Sequence, residues 1–190
     1  WYFESELYKT GLLKQILIDL DNKNLSYKKD GALWFKNTIF GEEKDRVLVK
    51  SNGDMTYFAT DIAYHAHKFK HYDLLIDIWG ADHHDYAARL TNAMKALGYD
   101  VGNRLQIHLI QFANLIRGGK SISMSTRSGD FYQLQDLVKE IGCDATKFFY
   151  LTKKKEQHLE FDVDLAVEKN KNNPIYYIQY AHARIKRIVD

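Results

Sequence analysis

An α/β fold with a parallel sheet is what this sequence predicts, and three observations carry it. Residues 74–79 (Leu-Leu-Ile-Asp-Ile-Trp) form a mostly apolar run of strand length. Residues 84–97 read as a helix closed by Gly98, and residues 105–110 are a second apolar run. Strand, helix and strand at that spacing make a βαβ unit, whose crossover brings the second strand back parallel to the first.

The flanking elements follow from local signals. Leu12, Leu13, Ile16, Leu17 and Leu20 recur at helical spacing, which predicts an amphipathic helix ending near Asp21-Asn22. Residues 25–28 and 32–35 read as short strands joined by a Lys29-Asp30-Gly31 turn. Residues 46–50 are a further strand, with Ser51-Asn52-Gly53-Asp54 as a tight turn behind it, and residues 61–70 read as a helix. Downstream, Gly118-Gly119 suggests a hairpin, and residues 134–141 and 144–151 suggest two helices. Pro174 falls in the first turn of a helix over about 174–189, where its missing N–H costs nothing. The asparagine-rich stretch 170–173 is the candidate domain boundary. The expected organisation is one domain over 1–170 and the first helix of another over 171–190.

Composition narrows the class. With 45% hydrophobic and 27% charged residues in 190, the chain sits in the range of ordinary globular proteins. A net charge of +2 argues against a histone-like basic sheath, though a local basic patch suffices for nucleic-acid binding. Cys143 is the only cysteine, which excludes a disulfide framework and a cysteine-based zinc site. No apolar run approaches the roughly eighteen residues of a membrane span. A soluble, cytoplasmic, monomeric protein with no membrane contact is the expectation. The chain opens on Trp1 in mid-pattern, so it reads as an excerpt.

Four groups of residues could carry chemistry. Tyr57 and Asp61 are four residues apart, so a helix starting near Thr60 would put phenol and carboxylate on one side. A carboxylate beside an aromatic face suits a guanidinium; equally, Asp61 could cap the helix while Tyr57 packs. Trp79-Gly80-Ala81-Asp82-His83-His84 follows an apolar strand and precedes a helix. Ligands bind at the carboxyl ends of such strands, where Gly80 permits close approach, Asp82 suits ribose hydroxyls and His83 or His84 suits phosphate or base. Adjacent histidines diverge by about 100° on a helix and no third ligand stands at helical spacing, so no metal site is assigned.

The third group is Gly118-Gly119-Lys120-Ser121 through Gly129. Gly119-Lys120-Ser121 mimics the end of a P-loop, but the earlier glycine that motif requires is Asn114, and the P-loop is rejected. What remains is a hydroxyl-rich loop with Lys120 and Arg127 in reach of a phosphate. The fourth is basic: Lys153-Lys154-Lys155, Lys169, Lys171, Arg184, Lys186 and Arg187, interleaved with Tyr176, Tyr177 and Tyr180. It reads either as a solvated face with core tyrosines or as an RNA-backbone contact.

Wording and order together point further. The string from Thr56-Tyr57-Phe58 through Asp61-Ile62-Ala63-Tyr64-His65 resembles arginyl-tRNA synthetases. So do Ile76-Asp77-Ile78-Trp79-Gly80-Ala81-Asp82-His83-His84, Met124-Ser125-Thr126-Arg127-Ser128-Gly129, and Asn173-Pro174-Ile175-Tyr176-Tyr177-Ile178-Gln179-Tyr180-Ala181-His182-Ala183-Arg184. The resemblance covers essentially the whole chain. It implies the C-terminal half of a Rossmann-like class I catalytic domain leading into an all-α anticodon-binding bundle. The implied reaction joins arginine to ATP, with Mg2+ accompanying the ATP and no zinc, and passes the arginyl group to tRNA(Arg).

By that resemblance Tyr57 and Asp61 would hold the substrate guanidinium. Gly80, Asp82, His83, His84 and Met124 would lie at the ATP site, and Tyr180 and Arg184 would meet tRNA. Ser123-Met124-Ser125-Thr126-Arg127 occupies the place of the KMSKS signature of class I synthetases, with Ser125, Arg127 and Lys120 as candidate catalytic residues. Ser123 and Thr126 stand where that signature has lysines, so cationic help to pyrophosphate would come from Lys120, Arg127 or elsewhere. The HIGH tetrapeptide is absent, and the excerpt alone is expected to be inactive. The alternative is a non-catalytic segment that binds tRNA or a protein.

Overall fold

The computed structural model describes residues 1–122 and 132–190. The chain divides into two compact units, Trp1–Leu109 and Ile110–Asp190.

The first unit opens with helices α1 (Ser5–Lys9) and α2 (Leu12–Asn22), followed by strands β1 (Ser26–Lys29), β2 (Ala32–Phe35) and β3 (Arg46–Val49). The three strands form an antiparallel meander in the order β1-β2-β3, with Tyr27 opposite Trp34 and Lys29 opposite Ala32. The β1–β2 connection has only two residues, and both take positive φ: Asp30 at 51° and Gly31 at 75°. A two-residue loop whose twist matches its strands needs that backbone, which Asp-Gly supplies cheaply.

Next come α3 (Tyr57–His71), β4 (Leu75–Gly80), a 3-10 turn (Ala81–His83), α4 (His84–Leu97), the short α5 (Val101–Arg104) and β5 (Leu105–Ile110). β4 and β5 are hydrogen-bonded neighbours, so the expected strand–helix–strand unit is present. α4 ends where the sequence placed its stop, on Gly98 with φ 97°.

α3 starts earlier than the sequence reading expected. Its cap is Thr56, whose hydroxyl donates to Val47 O at 2.8 Å and accepts from Ala59 N at 3.4 Å. The helix start is thereby tied to β3, and Asp61 sits one turn inside it with its side chain free for other work. At the far end Arg104 donates to the carbonyls of Phe69 at 2.8 Å and Asp73 at 3.0 Å, and to that of Tyr72. One guanidinium thus serves acceptors that a helix C-terminus leaves open.

The core of this unit gathers faces of α2, α3 and α4 over the meander. Leu20, Phe35, Leu48, Ile62, Leu90 and Met94 are fully buried in it. Each is worth roughly 1.5–3 kcal/mol of apolar burial.

The second unit contains β6 (Ala113–Arg117), β7 (Lys120–Ser121), α6 (Leu134–Ile141), α7 (Cys143–Leu151), β8 (Leu159–Asp162), α8 (Val163–Val167) and α9 (Pro174–Val189). β7 pairs with β6 across the expected Gly118-Gly119 hairpin, and β8 pairs with β6 in parallel. β8 and α8 were not assigned from sequence. Leu115, Leu137, Phe149, Phe161 and Val163 form a smaller core. Asp162 caps α8 by accepting from Leu165 N at 3.0 Å. Asn173 caps α9 through Ile175 N and also donates to the Ala166 and Glu168 carbonyls. Among the described residues no helix is long and apolar enough to cross a membrane.

Candidate active site

The first turns of α3 and the C-terminal end of β4 build the site. α3 presents Tyr57, Asp61, His65 and Lys68 at intervals of about one turn, so all four share one side of the helix. Tyr57 is largely exposed at the helix start, whereas Asp61 is half-buried. Both line a cleft of about 230 Å³ together with Tyr2, Glu4, Thr60 and Tyr64. Asp61 also borders a larger cleft of about 430 Å³, shared with Trp79, Gly80 and His83 from β4 and the turn after it, and with Tyr86 from α4. The guanidinium candidate and two of the adenosine candidates therefore meet around one carboxylate.

The electrostatics of that carboxylate follow from its surroundings. Burial raises the Asp61 carboxyl above its ordinary value; the Tyr86 hydroxyl and the charges of His65 and Lys68 pull it back, while Glu4 adds to the rise. Tyr86 donates a short hydrogen bond to Asp61 Oδ2. Burial, reinforced by the adjacent carboxylate, pushes the Tyr86 phenol far up, so it remains a neutral donor.

Beneath the site lies a buried charged cluster. His65 Nδ1 is 2.7 Å from the Asp61 carbonyl, which can only accept, so that nitrogen carries a hydrogen. His65 Nε2 lies 2.6 Å from Asp77 Oδ2, and Lys68 Nζ lies 2.7 Å from Asp77 Oδ1 and 2.9 Å from His65 Nε2. Asp77 projects from β4 with 8% of its side chain exposed. Burial pushes its carboxyl up, but His65 and Lys68 outweigh this and hold it below the usual carboxylate range. The cluster fastens α3 to β4, and with them Asp61 to Gly80.

The other candidates are less convergent. Asp82 is exposed, with its carboxylate 3.8 Å from His83 Nε2. His84 lines a separate cleft of about 410 Å³ with Arg46, Asp85 and Arg89, not the cleft that His83 shares with Asp61. In the second unit Lys120 is exposed on β7, opposite Arg117. Tyr180 and Arg184 are neighbours on α9, the guanidinium 5.9 Å from the ring centre. Met124, Ser125 and Arg127 lie outside the described residues.

Tyr86, His65, Lys68 and Asp77 were not singled out from the sequence as site residues. His65 and Lys68 carried a usable signal, since they continue the Tyr57–Asp61 spacing. Tyr86 and Asp77 carried none, because their meeting with α3 depends on how β4 and α4 pack against it.

Known proteins resemble this chain along most of its length. Residues 3–190 match the family model of the class I (R) tRNA synthetase catalytic domain. The chain is 50% identical over 189 residues to an arginine–tRNA ligase of Solidesulfovibrio magneticus, covering 99% of this chain and 34% of that protein. It is 53% identical over 186 residues to the arginine–tRNA ligase of Nitrosomonas europaea, covering 97% and 32% respectively. A crystal structure named as an arginyl-tRNA synthetase of Campylobacter jejuni superposes with a TM-score of 0.86 at 40% identity, over 97% of this chain and 40% of that one. The Thermus thermophilus arginyl-tRNA synthetase, with a TM-score of 0.71 at 19% identity over 97% of this chain and 41% of that one, shares the fold. The chain spans about a third of the length of the curated relatives it matches. By the match that runs through nearly all of its residues, the chain belongs to the catalytic-domain family of class I (R) tRNA synthetases.

Proposed function

We propose that the protein containing this chain is an arginine–tRNA ligase. In the first step the arginine carboxylate attacks the α-phosphate of ATP, forming arginyl-adenylate and releasing pyrophosphate. In the second, a hydroxyl of the terminal ribose of tRNA(Arg) displaces AMP. The observation that carries the reading is the half-buried Asp61 carboxylate beside Tyr57, on a family-matching chain. A neutral substrate side chain would bring that carboxylate no counter-charge, whereas a guanidinium supplies charge and paired donors.

In this reading Asp61 and Tyr57 hold the guanidinium, and Gly80 with His83 borders the adenosine. Asp82 faces the ribose, and His84 stands outside that cleft. Mg2+ enters with ATP, as part of that substrate. Negative charge grows on the departing pyrophosphate, and Arg127 or Lys120 takes over from the two lysines of the signature as the cation that meets it, with Ser125 and Met124 in the same proposed set. Residues 171–190 open an all-α tRNA-binding domain, in which Tyr180 and Arg184 stack and pair along the RNA backbone. A cytoplasmic monomer fits these roles.

The test is amino-acid-dependent charging of total tRNA by the full-length gene product. Arginine alone should be attached. Attachment of another amino acid, or none, overturns the proposal.

A further inference from the structure

We propose that Tyr86 is a positioning residue that fixes the Asp61 carboxylate in orientation and in its ionised form, and so helps to set selectivity for a guanidinium. The inference rests on the proposed role of Asp61 in holding the substrate side chain.

The geometry comes first. Tyr86 lies in the first turn of α4 and Asp61 in the second turn of α3, 25 residues away in sequence. The Tyr86 ring is wedged among Trp79, Phe58 and His83, with centroid separations of 5.7, 6.2 and 6.4 Å. A ring held on three sides has little rotameric freedom, so its hydroxyl stays aimed at Oδ2. Oδ1 and the second lone pair of Oδ2 are left for the planar fork of an incoming guanidinium.

The chemistry of the donor matters equally. A lysine or arginine in this place would orient Asp61 but neutralise it before the substrate arrived. Tyr86 orients it without using up its charge, and its own ionisation is pushed far up, so it donates across the working range. The remaining groups that bear on Asp61 are His65, Lys68 and Tyr64 on its own helix, Glu4 ahead of α1, and His83 across the larger cleft. His65 and Lys68 are already engaged with Asp77 on β4. The Tyr86 hydroxyl is the side-chain donor recorded on the Asp61 carboxylate among the described residues.

Because the hydroxyl favours the ionised form, removing it raises the Asp61 carboxyl further, and binding of a cationic side chain fails at a higher pH. The experiment is the pH dependence of kcat/KM for arginine in ATP–pyrophosphate exchange, with tRNA present, using the full-length protein. In Tyr86→Phe the acidic limb should move upward by roughly one pH unit, the scale of one lost charge-assisted hydrogen bond. The deficit should narrow toward alkaline pH, with kcat at saturating arginine little changed. Replacing Tyr86 by 3-fluorotyrosine keeps the shape and makes a stronger donor, so the limb should move the opposite way. This variant decides the matter if Tyr86→Phe does not fold.

A loss of activity equal at every pH, or a limb that stays in place in both variants, overturns the proposal. Asp61→Asn run in parallel separates the two ideas. If it leaves the KM for arginine unchanged, the guanidinium role of Asp61 fails, and the Tyr86 proposal with it. If it raises that KM while the Tyr86 variants keep the native profile, only the Tyr86 proposal fails.

Discussion

Helices α3 and α9 are nearly the same length, 15 and 16 residues, and each starts on a side-chain cap, Thr56 in one and Asn173 in the other. Both carry several aromatic residues at helical spacing. α3 buries eight residues, including Ile62, Ala63 and Ala66 at 0% exposure, while α9 buries none. Ile178, Tyr180, Ile185 and Ile188 of α9 are all more than half exposed. An apolar stripe at the 3.6-residue period shows that a helix has a face, not whether anything covers it. The contrast bears on function too. α3 concentrates its chemistry in a few half-buried groups, so single substitutions there should act strongly. α9 spreads exposed tyrosines and basic side chains along solvent, so each should act weakly and additively.

The largest expected effect tests the anchorage of α3. Asp77→Ala leaves His65 and Lys68 without their buried partner, and breaking a buried pair typically costs roughly 3–5 kcal/mol. Chemical denaturation of the full-length protein should register this loss, and a cost below about 1 kcal/mol would show that the cluster contributes little. The pH dependence has a definite sign. The Asp77 carboxyl is held below its ordinary value, so its contribution is complete above the usual carboxylate range and fades as pH falls below it. The native protein should lose this part of its stability on acidification, and Asp77→Ala should not.

Next comes the site itself. Asp61→Asn removes a charge partner from a partly desolvated position, which should weaken arginine binding by roughly 2–5 kcal/mol. Lysine should remain a poor substrate, because an ammonium cannot match the fork. Steady-state kinetics of exchange measures both.

A matched pair probes the contrast in burial most directly. Ile62→Ala in α3 should cost roughly 2–5 kcal/mol of stability. Ile185→Ala in α9, where the side chain is 61% exposed, should stay within about 0.5 kcal/mol. Similar costs at the two positions, measured by denaturant titration, would mean that something covers α9 in the full-length protein.

The smallest effect belongs to Arg184. Arg184→Ala should weaken tRNA binding only a few-fold and lower the slope of log affinity against log salt by about one. An unchanged slope would remove Arg184 from the RNA contact.

Much of the fold was legible because it rests on local rules. The Asp30-Gly31 and Gly118-Gly119 turns, the stop of α4 at Gly98 and the start of α9 at Pro174 are all written in adjacent residues. β8 was legible in principle, since Leu159 and Phe161 alternate inward with Glu160 outward, but the lysine-rich segment before it reads as a loop. The start of α3 was not, because Thr56 is chosen as cap partly by its bond to the Val47 carbonyl on another element. The site divides in the same way. Tyr57 and Asp61 are one helical turn apart and announce themselves, whereas the Tyr86–Asp61 bond exists only once α4 has packed against α3. The signature-loop residues 123–127 lie outside the described residues and remain as the sequence reads them.

The threefold fastening of α3 has a consequence for the length of side chain that the proposed site would accept. Thr56 locks the helix start to β3, Arg104 gathers the carbonyls at and just beyond its end, and Asp77 holds its middle to β4. A helix pinned at both ends and at mid-length cannot slide along its axis. It behaves as a fixed ruler, with Asp61 as one mark and the glycine at the end of β4 as another. A substrate longer or shorter by one methylene cannot be met by moving the mark, so misfit falls on the ligand. Discrimination of about 1–3 kcal/mol per methylene, the range open to a hydrophobic pocket, would then come in part from the anchorage of the helix and not from the substrate contacts alone.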